Sequence, residues 1–117
     1  MVIDREWKAR DTIELVLSMP TELVRAHPRV TENAYKVAIQ RGPLVYCLED
    51  IDNDVILNNI RIPRNAKITE IFDKDTLGGI TKIICEAEVF DGSSWGEELY
   101  KPECIKTRPC NITAVPY

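Results

Sequence analysis

Apolar and polar residues alternate along most of this chain with a period of two, the pattern of a β-strand that buries one face. In TIELVLS (12–18), Ile13, Leu15 and Leu17 fall on one face, and Thr12, Glu14 and Ser18 fall on the other. In ITKIICEAEVF (80–90), one face carries Thr81, Ile83, Cys85, Ala87 and Val89. The segment LVYCLE (44–49) is apolar on both faces, as in a central strand that is covered on both sides.

Short strands bounded by turn residues account for most of the remaining sequence. They are predicted at 36–41 (KVAIQR), 55–62 (VILNNIRI), 67–72 (KITEIF) and 111–115 (NITAV). The segment TELVRAH (21–27) is predicted to form one or two helical turns, and no stretch supports a long amphipathic helix. About seven or more short strands predict an all-β fold, an antiparallel β-sandwich that forms a single domain over residues 1–117.

Composition and charge limit the possible partners. Among 117 residues, 44% are hydrophobic and 29% charged, which is typical of a folded globular protein. The net charge of -4, without any basic block, argues against nucleic acid and against an anionic membrane surface as partners. The apolar runs are too short to cross a bilayer, and MVIDREWKAR (1–10) lacks the apolar core of a signal peptide, so a cytoplasmic location is expected.

The four cysteines do not have the spacing of a structural zinc site, which usually shows two close Cys pairs. The only close pair is Cys104 and Cys110, and free, packed thiols are the simpler interpretation. Cys47, beside two carboxylates in RGPLVYCLED (41–50), would need a partner that lowers its pKa to act as a nucleophile. The single histidine, His27, is far away in sequence, and a packed thiol within a strand is predicted for Cys47.

The acidic segment EDIDND (49–54) is a weak candidate for calcium binding. Alternating carboxylates in a loop can converge on a hard cation, and they are Asp50, Asp52 and Asp54. An EF-hand is excluded, because Val55 and Arg61 occupy the positions of its glycine and its last glutamate. A solvated loop is the alternative. Glu49 with another carboxylate could also serve a self-sufficient hydrolase, the least favoured hypothesis.

An aromatic loop offers a possible carbohydrate-binding surface. Trp95 stands among Ser and Gly in FDGSSWGEELY (90–100), where its ring could form a platform for a sugar, with Tyr100 as a second ring. The alternative is that Trp95 packs against a neighbouring domain.

Several segments together resemble one known family. They are IDREWKARDTIELVLSMP (3–20), VTENAYKVAIQRGPLVYCLEDIDN (30–53), LGGI (77–80) and ITAVPY (112–117). These segments are similar to the C-terminal β-sandwich region of the bacterial β-L-arabinofuranosidase family of glycoside hydrolases, once known only as a domain of unknown function. The resemblance implies a fragment of a longer enzyme, whose separate (α/α)6 barrel performs retaining hydrolysis with a zinc-bound cysteine thiolate.

The resemblance also implies what this chain does not carry. The zinc ligands of the family lie in a Glu-x-Cys motif and an adjacent Cys-Cys pair, and neither occurs in this sequence. No catalytic residue, metal ligand or cofactor is therefore expected here. The chain is expected to be a non-catalytic accessory domain that packs on the barrel, with a homodimer of the fragment as a further possible association. A carbohydrate-binding module using Trp95 is the alternative function.

Overall fold

Seven antiparallel strands form one curled sheet in the computed structural model, which describes residues 2–102 and 104–117. The strands are β1 (Thr21–Val24), β2 (Ala38–Arg41), β3 (Leu44–Leu48), β4 (Ile60–Arg61), β5 (Ile68–Asp73), β6 (Ile80–Asp91) and β7 (Lys106–Pro116). Short 3-10 helices cover Thr31–Asn33, Asp50–Asp52 and Leu57–Asn59. The prediction of an all-β, antiparallel fold with about seven short strands is confirmed.

The long strands β6 and β7 form the centre of the sheet. They pair over nine residues, from Ile83 opposite Ala114 to Asp91 opposite Lys106. The strand order is β1-β2-β3-β7-β6-β4, and β5 also pairs with β6. Two strands share the edge of β6 that faces away from β7. β5 pairs with the first half of β6, and β4 pairs with the second half.

The sheet curls until its two ends meet. The hydroxyl of Thr21 in β1 donates a hydrogen bond to Glu70 Oε1 in β5, and Arg41 Nε in β2 donates to Glu70 Oε2 at 2.9 Å. The hydroxyl of Tyr46 in β3 donates to the carbonyl of Thr81 in β6 at 2.9 Å. These contacts join strands that are not neighbours in the sheet, so the inner face of the sheet encloses its own core.

Two adjoining apolar clusters fill this inner face. One cluster contains Ile39, Tyr46, Ile83 and Ala114, and the other contains Cys85, Ala87 and Ile112. The side chains of Ile83, Cys85 and Ala87 come from alternate positions of β6, as the period of two predicts. Leu48, Ile62 and Ile68 pack against both clusters and make them one core.

The segment 12–18 is not a strand in the structure, so that prediction is wrong. Its apolar residues are largely exposed, at 55% for Ile13, 65% for Leu15 and 72% for Leu17. The alternation is that of a strand, but within residues 2–102 and 104–117 no neighbouring strand pairs with this segment. Apolar alternation shows that one face of a segment can be buried, but it does not show whether a neighbouring strand is present to pair with it.

Two further predictions of local structure need correction. The segment 21–27 contains strand β1 in place of a helical turn, because Glu22 and Leu23 pair with Gln40 and Ile39 of β2. Of the strand predicted at 55–62, Ile60–Arg61 forms strand β4, and a 3-10 helix at Leu57–Asn59 precedes it. The last strand, predicted at 111–115, extends over Lys106–Pro116.

Candidate functional site

Cys47 lies in the middle of β3 as a packed thiol. Its neighbours Tyr46 and Leu48 contribute to the core, so the Cys47 side chain points to the opposite face of the sheet. The half-buried Sγ lies 3.7 Å from the carbonyl oxygen of Val115 on β7. His27 is engaged elsewhere, because its Nδ1 accepts a hydrogen bond from the amide of Arg29 at 3.1 Å. The hydrogen bonds described for Cys47 and His27 do not join the two residues.

All four cysteines are free thiols in different environments. Cys85 is fully buried in the core, and this burial raises the pKa of its thiol. Cys110 packs against the same cluster, whereas Cys104 is exposed. The sequence also lacks the Glu-x-Cys and Cys-Cys motifs, so the residues present do not fit the zinc-thiolate centre that the resemblance implies for a longer enzyme.

The acidic loop after β3 is organised by an asparagine. Asn53, which is 8% exposed, donates from Nδ2 to the carbonyls of Glu49 at 2.8 Å and Thr113 at 3.0 Å. Its Oδ1 accepts a hydrogen bond from the amide of Thr113 at 2.8 Å. The Asn53 side chain thus binds the edge of β7 beyond the end of β3 and fixes the loop against the sheet.

The calcium candidates Asp50, Asp52 and Asp54 are exposed in this loop. Across the part of the chain that the structure describes, no three side chains of His, Cys, Asp or Glu are grouped so that they could hold a metal ion. The side chain that turns inward from the loop is the neutral Asn53, and the carboxylates around it remain in solvent.

The aromatic candidates lie in the loop between β6 and β7. Trp95 is half-buried, and the ammonium group of Lys101 lies 5.7 Å from the centre of its ring. The same ammonium lies 4.0 Å from the carboxylate of Glu98. Tyr100, in contrast, is 92% exposed. Lys101 therefore occupies one side of the Trp95 ring, and sugar binding by Trp95 and Tyr100 stays a prediction.

The carboxyl groups with shifted pKa values hold turns and strands together. Hydrogen bonds from Thr76 and Lys82 keep the pKa of Asp73 far below its ordinary value, and a hydrogen bond from Ser93 lowers the pKa of Asp91. Hydrogen bonds from Thr21 and Arg41 lower the pKa of Glu70. A general acid needs a raised pKa. Among the residues that the structure describes, every shifted carboxyl pKa moves the other way, so the hydrolase hypothesis built on Glu49 gains no support.

A shallow apolar groove lies on the face of the sheet opposite the core. It has a volume of about 430 Å³ and is lined by Ile71 and Ile84, with Lys82 and Asp73 beside them. Val45 on β3 belongs to the same face, since its neighbour Tyr46 points into the core. Val45 is 52% exposed and Ile71 49% exposed. We call this surface, represented by Val45, Ile71 and Ile84, the outer face.

Sequence reasoning did not identify Asn53 or Glu70, the two polar side chains that shape the molecule. Both act on partners distant in sequence, Thr113 for Asn53 and Thr21 and Arg41 for Glu70. Neither belongs to a recognisable motif, so no local signal could have singled them out. No helix in residues 2–102 and 104–117 is long and apolar enough to cross a membrane.

With this geometry established, comparison with known proteins decides the family. The model of the glycoside hydrolase family 127 C-terminal domain matches residues 21–117. The chain belongs to this family. The resemblance seen in the sequence is thereby confirmed, and the curled sheet from β1 to β7 is a C-terminal domain of glycoside hydrolase family 127.

Individual relatives agree with this assignment. A non-reducing end beta-L-arabinofuranosidase of Bifidobacterium longum is 41% identical, over 93% of this chain. The crystal structure of a GH127 beta-L-arabinofuranosidase from Geobacillus stearothermophilus T6 superposes with a TM-score of 0.81 at 47% identity, over 85% of this chain. A second GH127 beta-arabinofuranosidase gives a TM-score of 0.73 at 27% identity, over 86% of this chain.

The chain spans only a small part of these proteins. It covers 18% of the Bifidobacterium protein, 16% of the Geobacillus structure and 15% of the second GH127 structure. The alignment with the Bifidobacterium protein, at 93% of the chain, is longer than residues 21–117 alone could supply, so it extends into the residues before β1.

Proposed function

We propose that this chain is a non-catalytic accessory domain of a β-L-arabinofuranosidase-like glycoside hydrolase and that it packs on the catalytic barrel of that enzyme. The match of residues 21–117 to the C-terminal domain of family 127 carries the proposal. The chain covers less than a fifth of each of three relatives, so the larger part of such an enzyme lies outside it. In this proposal, hydrolysis and the zinc-thiolate chemistry belong to the barrel.

The outer face is the surface that we assign to the contact with the barrel. A sheet face that remains in water normally carries polar residues, but Val45 and Ile71 on the outer face are about half exposed, and Ile71 lines the apolar groove. Contiguous exposed apolar surface on a folded domain indicates an interaction site. Lys82 and Asp73, which form a 3.0 Å ion pair beside the groove, would contribute a polar rim.

The test is a chimera in which this chain replaces the matching segment of the Geobacillus enzyme. We expect the chimera to hydrolyse β-L-arabinofuranosides, and we expect Val45→Glu and Ile71→Glu to lower its melting temperature by at least about 2 °C through lost apolar burial. Leu99→Glu is the matched control, since Leu99 is 83% exposed in the β6–β7 loop. Equal melting temperatures for all three variants, or hydrolysis by the isolated chain, would contradict the proposal.

Carbohydrate binding is the second candidate, and the 92% exposure of Tyr100 favours it. The position of Lys101 over the Trp95 ring counts against it, because a stacked sugar needs an open ring face. Titration of the isolated chain with L-arabinose and arabinan oligosaccharides, followed by Trp fluorescence, separates the two functions. Saturable binding that is lost in Trp95→Ala would establish the module, and the accessory role predicts no saturable response.

A further inference from the structure

The residues before β1 form an exposed arm, residues 2–18, whose hydrogen bonds in the described structure stay within the arm. A turn at its start is held by Asp11, whose carboxylate accepts hydrogen bonds from Arg5 at 3.1 Å and from the amide of Lys8 at 2.8 Å. In the described structure, the hydrogen bonds of the arm all join residues of the arm. The turn directs the following residues, 12–18, away as a separate extended segment.

This segment has the side-chain pattern of a strand and an unpaired backbone. Ile13, Leu15 and Leu17 share one face, and all three are more than half exposed. Thr12, Glu14 and Ser18 share the other face with Val16. Polar groups of an extended backbone are normally paired with a neighbouring strand when the apolar side chains beside them are buried. The segment therefore lacks both a neighbouring strand and a cover for its apolar face within the described part of the chain.

The comparisons indicate where the missing neighbour lies. The match to the C-terminal domain begins at residue 21, after the arm, whereas the alignment with the Bifidobacterium enzyme extends into it. The arm is thus similar to a part of the Bifidobacterium protein and lies before the segment that matches the C-terminal domain model. The remaining four-fifths of such an enzyme is the part that can receive it.

We propose that residues 12–18 form a β-strand on the open edge of a second antiparallel sheet in the parent enzyme, with Ile13, Leu15 and Leu17 on its buried face. This inference rests on the proposed function, since it needs a parent enzyme. It adds a partner surface to the one assigned to the outer face. Addition of a strand to a sheet edge supplies main-chain hydrogen bonds, and the alternating side chains fix the register.

A second copy of the chain is a weaker occupant. Two arms could pair antiparallel about Leu15, which would place Ile13 of one copy opposite Leu17 of the other. Such a pair would be an isolated two-stranded ribbon, which is marginally stable in water. Three apolar side chains from each copy bury too little surface to replace a sheet beneath them.

The experiment compares two neighbouring residues of the arm in the chimera described above. Leu15→Glu places a carboxylate on the proposed buried face, and Val16→Glu, the matched control, places it on the other face. We expect Leu15→Glu to lower the melting temperature by at least about 2 °C and Val16→Glu to leave it unchanged. In hydrogen exchange, amides 12–18 should be at least about tenfold better protected in the chimera than in the isolated chain.

The outcomes separate this inference from the function on which it rests. An active chimera whose amides 12–18 exchange as fast as in the isolated chain, or in which Leu15→Glu and Val16→Glu behave alike, overturns the inference alone. A chimera that does not hydrolyse β-L-arabinofuranosides even with the unaltered chain overturns the proposed function and this inference together. An isolated chain that dimerises through a protected arm, with the dimer lost in Leu15→Glu, assigns the arm to a second copy and also overturns it.

Discussion

Glu70 connects the two ends of the sheet with a single carboxylate. Its two oxygens accept hydrogen bonds from Thr21 on β1 and Arg41 on β2, although β5 pairs with neither strand. The contact with Thr21 and then the contact with Arg41 are the main reasons that the pKa of Glu70 lies below its ordinary value. Both contacts favour the ionised carboxyl group, so closure of the sheet depends on the charge of Glu70.

This dependence predicts how stability varies with pH. Because the pKa of Glu70 is lower in the folded state, its stabilising contribution is complete above its ordinary pKa of 4.5 and is lost as the pH falls through the lowered value. Glu70→Gln keeps the shape and an acceptor but removes the charge. We expect the difference in free energy of unfolding between the two proteins, measured in urea, to be largest near about pH 7 and to shrink as the pH falls below 4.5.

Other carboxyl groups do not affect the difference in unfolding free energy between the protein and its Glu70→Gln variant. Asp73 and Asp91 also have lowered pKa values, but they are present in both proteins and their contributions cancel. A difference in unfolding free energy that stays constant across this pH range would show that the charge of Glu70 is not what closes the sheet.

At the scale of the elements, the turn of the β5–β6 hairpin depends on residues that can adopt a positive φ. Its turn contains Leu77, Gly78 and Gly79, all with positive φ. A Cβ atom on Gly79, at φ 112, would lie 2.9 Å from Cζ of Phe72, whereas a Cβ on Gly78, at φ 80, would meet nothing within 4 Å. The backbone conformation alone disfavours a side chain at both glycines, and only Gly79 adds a steric clash.

We therefore predict a larger loss of stability for Gly79→Ala than for Gly78→Ala. The strained backbone costs about 1–2 kcal/mol in each variant, and displacement of the Phe72 ring adds to the cost in the first. Thermal unfolding followed by circular dichroism measures the difference. Gly92→Ala serves as the neutral reference, because Gly92 has open space around it and no positive φ. Equal losses for Gly78→Ala and Gly79→Ala would show that Phe72 moves aside without cost.

Most of the strands could be predicted from the sequence. The strands β2, β3, β5, β6 and β7 follow from apolar patterns bounded by turn residues, with alternation in β6 and an apolar run in β3, because each has a partner strand within the chain. Residues 12–18 have an equally clear alternation and form no strand, because pairing is a property of two segments and a period describes only one. Strand β1 was missed for the complementary reason: its four residues are extended because β2 lies beside them.

The candidate sites were predicted less well than the strands. Residue type alone singles out the candidates in the sequence, which are Trp95, Tyr100 and the aspartates of the acidic loop. For Tyr100 and the aspartates, the structure adds only that they are exposed in loops. Asn53 has no such signal, although its contacts with Glu49 and Thr113 join the loop to β7. Such contacts depend on the register of distant strands, which local patterns do not determine.

At the scale of the whole molecule, the chain is far longer than a compact domain, and the exposed arm is a segment that adds to its length. The radius of gyration is 20.4 Å, and the longest dimension is 76 Å. A compact domain of this length would have a radius of gyration of about 13 Å. The excess arises where a segment projects from the sheet, and residues 2–18 form such a segment.

We predict that small-angle X-ray scattering of the isolated chain gives a radius of gyration near 20 Å, as in the structure. Deletion of residues 2–18 should reduce it toward about 13 Å. The melting temperature should stay unchanged, because the hydrogen bonds of the arm stay within the arm in the described structure. A value near 13 Å for the complete chain would mean that the arm folds back on the sheet in solution.

The junction between the arm and the sheet determines where a force on the arm would act. Met19 packs over Gly42, where an added Cβ would lie 3.0 Å from its Cγ, and the amide of Gly42 donates to the carbonyl of Pro20 at 3.1 Å. Tension in the arm would therefore pass through this junction to Thr21, the first residue of β1 and a hydrogen-bond donor to Glu70. Mechanical load from a neighbouring domain would thus act on the junction at Gly42 and then on the contact between Thr21 and Glu70 that closes the sheet.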